Sequence, residues 1–221
     1  MTAMRKGLEV AIEELRLDVL KMTKQVIANI NDSLEAFKNN DSKLANEIIK
    51  RDDDVDKLEE IISKDALKII WKEQPVARDL RFVTGILKLI TDLERIGDHA
   101  TDIAEITLHT TEIKNKRLLP ITLQMADIAK TMVFDSTVAL FKIDVEMAKA
   151  VIATDDQVDE YFNNIVKKMA EVLKEEKDDP EFIIYLLMVA KYIERIADHA
   201  VNIAEWVIFI SSGEHKNTPL F

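Results

Sequence analysis

Leu93-Glu94-Arg95-Ile96-Gly97-Asp98-His99-Ala100 recurs 100 residues later as Ile193-Glu194-Arg195-Ile196-Ala197-Asp198-His199-Ala200. The correspondence runs on through Ile103-Ala104-Glu105 and Ile203-Ala204-Glu205. A further stretch, Asp52-Asp53-Asp54-Val55-Asp56, has its partner in Asp155-Asp156-Gln157-Val158-Asp159, displaced by 103 residues. Segments repeated at nearly one displacement mean that a whole supersecondary unit is built twice, so fold and site are read per half.

Each half holds three helices. Leu8, Ile12, Leu15, Val19, Met22, Val26, Ile30, Leu34 and Phe37 recur at spacings of three and four, which places one apolar stripe along a first helix. Asn39-Asn40-Asp41-Ser42 breaks it, with Asp41 as N-cap of the next. The second helix carries Leu44, Ile48, Val55, Leu58, Ile62 and Ile69 to Trp71, and Gln74-Pro75 ends it because the residue before proline is disfavoured in the α region. The third runs from about Pro75 to His109. The second half repeats the plan, from about Pro120 to Phe141, Asp144 to Lys177 and Pro180 to Ile210, with Pro75 and Pro180 opening equivalent helices. The expected fold is all-α: two tandem three-helix bundles, six long helices related by internal duplication and a pseudo-twofold. They are assigned to 1–112 and 113–221, joined through Thr111 to Pro120, and Glu214 to Phe221 is read as a loose tail.

Composition supports this. Four glycines and four prolines occur in 221 residues, with none between Leu8 and Gln74 or between Ile121 and Asp179, which excludes turn-rich sheet architecture. A formal charge of −11 has the wrong sign for phosphate backbones or anionic lipid, so nucleic acid is not an expected partner. The absence of cysteine rules out disulfides and thiolate metal sites. No secretory leader is visible at Met1 to Lys6, and the longest apolar runs, such as Ile183 to Ala190, fall far short of the roughly 20 residues of a membrane span, so a cytoplasmic location is expected.

The chemistry lies in carboxylates. On a helix that turns about 100° per residue, Glu94, Asp98 and Glu105 fall within roughly 40° of one another, and Glu194, Asp198 and Glu205 repeat them. On the second helices Asp52, Asp56 and Glu59 share a face, as do Asp155, Asp159 and Phe162. Like charges four apart destabilise a helix by a few tenths of a kcal/mol, so the stripes are either screened by water or matched by a cation. In the second case carboxylates from adjacent helices converge on hard cations or iron, one site per half. His99 and His199 sit about 140° from the glutamates and are read as helix-contact residues. Arg95 and Arg195 are read as pointing away from the stripes, to an interhelical carboxylate or a partner, with structural pairing as the default, and Arg78 and Arg81 as anion or counter-ion groups at a helix start. Trp71, Trp206 and Phe209 are assigned to the core or an interface. No phosphate loop, nucleophile elbow or Glu-x-x-His di-iron motif is present.

The duplicated Leu/Ile-Glu-Arg-Ile-Gly/Ala-Asp-His-Ala, the Gln-Pro-Val-Ala-Arg-Asp-Leu-Arg segment at 74–81 and the Asp-x-x-Val-Asp elements at 52–56 and 155–159 resemble the PhoU family across nearly the whole chain. The resemblance implies a cytoplasmic, non-enzymatic negative regulator of phosphate uptake and phosphate-regulon signalling. Such a regulator docks on the ATP-binding subunit of the phosphate ABC transporter and on the sensor histidine kinase, and meets the membrane only through these partners. It also implies metal ligation by Glu94, Asp98, Glu194 and Asp198, and by Asp52, Asp56, Asp155 and Asp159. Oxygen ligands admit iron, zinc, manganese, magnesium or calcium. Asn202 and Phe162 stand where the first half has Asp102 and Glu59, so the second site is expected to be the weaker. The long amphipathic faces are compatible with a homodimer. The alternatives from other classes are a carboxylate-bridged metalloenzyme and a metal-sequestering protein.

Overall fold

The computed structural model describes residues 3–110, 117–174, 180–215 and 218–219. It contains six helices, α1 (Ala3–Asn39), α2 (Ser42–Glu73), α3 (Ala77–His109), α4 (Leu119–Lys142), α5 (Val145–Lys174) and α6 (Pro180–Ser212). Glu214–His215 and Thr218–Pro219 form two very short antiparallel strands, β1 and β2. The joint at 111–116, the expected run of the fifth helix to 177, and 216–217 and 220–221 of the tail lie outside the described residues.

The apolar stripe of α1 enters the core as its period requires: Leu15, Val19, Met22, Val26 and Ile30 are all at most 1% exposed. Burying each such side chain stabilises the fold by roughly 2 kcal/mol. The two short connections are built alike. Asn40 and Ile143 both take left-handed backbone, with φ of 55° and 51°. Asp41 then accepts hydrogen bonds from the Lys43 and Leu44 amides at 3.0 Å, and Asp144 accepts one from the Met147 amide at 3.0 Å. Such caps contribute about 1 kcal/mol each, and they turn the chain antiparallel at equivalent places in the two halves.

The prolines are not equivalent. Pro180 is the first residue of α6, but α3 begins only at Ala77. Pro75 is buried in the preceding turn, between a left-handed Gln74 (φ 49°, ψ 55°) and an extended Val76 (φ −126°, ψ 158°). Its locked φ serves the turn rather than the first helical residue.

Across the halves α3 packs on α6 and α1 on α4, while among the described residues α2 touches only α1 and α3, and α5 only α4 and α6. One continuous apolar core therefore runs through both halves, with α2 and α5 on its two flanks. Close approach of α3 and α6 depends on Gly85, where a Cβ would lie 2.5 Å from Ile210 Cδ1. Arg81 joins the same contact by donating to the Ile210 carbonyl at 3.2 Å, so it is a helix-end tie rather than an anion ligand. At the far end of α6 the chain turns at Gly213, whose φ of 86° suits glycine, and part of the expected loose tail pairs as β1 and β2. Trp206 and Phe209 meet edge to face at 5.5 Å, whereas Trp71 is 79% exposed and does not enter the core. Among the described residues no helix is long and apolar enough to cross a membrane.

Candidate functional site

Because α2 runs antiparallel to α3, the carboxylates of the two helices meet along one seam. Oxygen atoms of Asp56, Glu94 and Asp98 lie within 4.8 Å of one another. Asp56 is exposed and the other two half-buried, so the cluster opens to solvent on one side. Asp52 stands next along the seam. Burial, reinforced by Asp98 and Asp56, holds its carboxyl above the usual range. Burial and then Asp98 raise Glu94, against the pull of Arg95. Arg95 does not point elsewhere, as its place in the sequence suggests. Its guanidinium folds back to Asp98 at 2.8 Å and Glu94 at 3.3 Å, because a long flexible side chain can reach the neighbouring turn.

The duplicate seam, between α5 and α6, collects Asp155, Asp159, Glu194 and Asp198. Burial, followed by Asp198, Asp159 and Glu194, pushes Asp155 up to about 6. Burial and then Glu194 raise Asp198, opposed by Lys191. Lys191 pairs with Glu194, and its ammonium lies 5.3 Å from the centre of the Phe162 ring. Its first-half counterpart is Thr91, and that of Phe162 is Glu59. Among the described residues no second trio of His, Asp or Glu groups converges as Asp56, Glu94 and Asp98 do.

All eight expected residues thus fall on the two seams, in two groups of four, while Glu105 of the stripe is exposed and apart from the convergent trio. Sequence reading missed Lys191, although a lysine three residues before Glu194 was visible.

The histidines lie elsewhere, at the centre of the α3–α6 contact. Their rings are 5.7 Å apart. The Asp92 carboxylate accepts from His199 Nδ1 at 2.8 Å and from the Asn202 amide at 3.3 Å. His99 Nδ1 bonds Asp102 at 3.1 Å, and its ring stacks on Tyr192 at 5.5 Å. Since Asp92 and Tyr192 are counterparts, as are Asp102 and Asn202, this is one pseudo-symmetric joint between the halves, built partly from Asp92, which the sequence reading did not single out. A groove of about 800 Å³ between α1 and α2, lined by Val10, Leu15, Ile69 and Lys72, contains none of the seam carboxylates.

An open cluster of carboxylate oxygens suits hard cations. The residues present fit one: the buried Asp52 Oδ1 accepts no hydrogen bond, and the Asp56–Glu94–Asp98 trio supplies oxygens only.

The comparisons with known proteins agree over both halves. The model of the PhoU domain matches residues 19–107 and again 122–207. A phosphate-specific transport system accessory protein PhoU homolog of Clostridium acetobutylicum is 33% identical over 95% of this chain and 96% of its own. The corresponding homolog of Aquifex aeolicus is 38% identical over 92% of each chain. The crystal structure of PhoU from Pseudomonas aeruginosa superposes with a TM-score of 0.86 at 28% identity, covering 93% of this chain and 99% of that one. With the domain matched twice, at the places where the sequence repeats, this chain belongs to the PhoU family.

Proposed function

We propose that this chain is a cytoplasmic, non-enzymatic accessory protein that restrains phosphate uptake and phosphate-regulon signalling when phosphate is plentiful. It docks on the ATP-binding subunit of the phosphate ABC transporter and on the sensor histidine kinase. The observation that carries this is the match to accessory proteins of phosphate-specific transport over more than nine-tenths of the chain. In keeping with a docking surface, the Asp56–Glu94–Asp98 cluster opens to solvent on one side.

By the same reading the seams hold divalent or iron cations. Asp52, Asp56, Glu94 and Asp98 form the first site, and Asp155, Asp159, Glu194 and Asp198 the second. A bound cation neutralises carboxylates that repel one another in its absence and ties α2 to α3, and α5 to α6, at the protein surface. The second seam has Phe162 where the first has Glu59, one carboxylate fewer, so the second seam binds more weakly.

Two measurements test this. Purified protein should bind the purified transporter ATP-binding subunit, and removing the chain from its host should leave phosphate uptake unrestrained at high phosphate; absence of both effects overturns the docking reading. Elemental analysis should find metal in protein purified without chelator and markedly less in a Glu94→Ala, Asp98→Ala variant of unchanged helicity. Equal metal in both proteins overturns the site.

A further inference from the structure

The α5–α6 seam differs from its duplicate in a second way, beyond the carboxylates. Val166, Leu173, Ile184, Leu187 and Met188 are 39%, 45%, 57%, 37% and 41% exposed. Their first-half counterparts are Ser63, Ile70, Thr84, Leu87 and Lys88. Ile184, Leu187 and Met188 share one face of α6 with Lys191, at spacings of three and four. Phe162, Val166 and Leu173 likewise share one face of α5. The contact of Lys191 with Phe162, and the electrostatic neighbourhood of Asp155 and Asp198, set the antiparallel register of the two helices. On that register Val166 falls at the level of Leu187 and Met188, and Leu173 about one turn beyond the level of Ile184. The result is an apolar strip that starts at Phe162 and runs for three helical turns, roughly 16 Å.

We propose that this strip seats an amphipathic helix of a partner protein, oriented by basic residues at the end of that helix which meets the acidic seam. The proposal rests on the docking reading above. Three of these five positions are polar in the first half and apolar in the second, and a contiguous run of exposed apolar side chains marks an interaction surface. The charge at its border selects the occupant. Beyond Phe162 the strip runs into Asp155, Asp159, Glu194 and Asp198, against which the chain sets the Lys191 ammonium. A second copy of this chain would bring a formal charge of −11 to the same face, and an anionic lipid surface would also be repelled. A helix with an apolar stripe and a cationic end matches both parts, in the manner of helix-in-groove recognition.

The test uses two fluorescent 21-residue peptides with the same leucine stripe at three-four spacing, one ending in three arginines and the other in three glutamates. Binding is measured to the whole protein and to a variant carrying the first-half residues, Val166→Ser, Ile184→Thr and Met188→Lys. All three sites are exposed, and unchanged circular dichroism verifies the fold. The arginine-ended peptide should bind the parent at least tenfold more tightly than the glutamate-ended one, and the variant should lose at least tenfold. Equal binding of the two peptides, or equal binding by the two proteins, overturns the proposal. So does sedimentation showing that the parent self-associates while the variant is monomeric, because the occupant is then a second copy. The purified ATP-binding subunit separates this inference from the docking reading. Failure of the parent to bind it overturns both, undiminished binding by the variant overturns only the assignment of this face, and loss of binding in the variant supports it.

Discussion

The α2–α3 and α5–α6 seams are duplicates in sequence that have come to different chemistry. In the first, oxygens of Asp56, Glu94 and Asp98 converge within 4.8 Å. In the second, Lys191 pairs with Glu194 over the Phe162 ring, where the first half has Thr91 and Glu59. Neither exchange touches one of the four repeated acids. A repeated motif therefore does not by itself make a repeated site, because the neighbours on the next turn decide how much negative charge is left for a ligand. The second seam, with Phe162 in place of a carboxylate and exposed Val166, Ile184 and Met188 at its border, is suited to a partner as well as to a weaker cation, and the first to cations.

The comparison can be broken most sharply by cation binding. Manganese titrated into chelator-treated protein should bind the first seam more tightly, and Glu94→Ala with Asp98→Ala should weaken the tighter phase by about 100-fold, since removing ligands costs at least as much as disturbing their supports. The same change at Glu194 and Asp198 should leave that phase intact, whereas Lys191→Thr should strengthen the weaker one. Equal effects from the two halves would show the seams to be alike.

Next in size is the joint between the halves. Asp92→Ala strips the acceptor from both His199 and Asn202 and should destabilise the protein by about 2 kcal/mol in chemical denaturation. Tyr192→Phe, at the counterpart position, keeps the ring that stacks on His99 and should cost well under half of that.

A smaller effect follows from Asp155. Its carboxyl is raised from 3.8 to about 6 in the folded protein, so the native state holds this proton more tightly than the unfolded chain. The stabilisation it gives when protonated is complete below about pH 4 and is lost as pH rises through 6. In chelator, the stability of Asp155→Asn relative to the parent should therefore grow between pH 4 and 7, by an amount on the order of 1 kcal/mol once solvent screening is allowed for. Asp52→Asn should show the same sign, because burial raises that group too. A difference that is flat across this range would mean that neither carboxyl feels its neighbours.

Gly97→Ala should have the least effect. A Cβ there would meet Val55 Cγ1 at 3.3 Å, a tight contact, while alanine favours the helix by about 1 kcal/mol. The second half carries Ala197 at the equivalent place, with Val158 the counterpart of Val55. A melting temperature within a few degrees of the parent is expected, and a large loss would show that the two halves pack their second helices at different distances.

Much of this was legible before folding was considered. Leu15 to Phe37 on α1, the cap at Asp41 and the helix start at Pro180 follow from local periods and local hydrogen bonds, which depend on neighbours in sequence. So does the placement of Asp52 with Asp56, and of Glu94 with Asp98, on single faces, since a helix converts spacing into direction. Arg95 was misplaced because a helical wheel gives the direction of Cβ but not the reach of a guanidinium. Trp71 stays out of the core because α2 packs on its own half, which leaves an outer face open to solvent, and only the interface part of its assignment remains.

The sequence by itself determined the six helices, their duplication and the carboxylates on one face of each. Only the tertiary structure decided that Asp56 meets Glu94 and Asp98 while Lys191 lies against the Phe162 ring. It also decided that Asp92 reaches across 107 residues to His199, and that Phe162, Val166 and Met188 form one strip. The physical reason is that helical periodicity is set by hydrogen bonds four residues apart, whereas convergence between helices depends on register and rotation, and the packing of the whole apolar core fixes both.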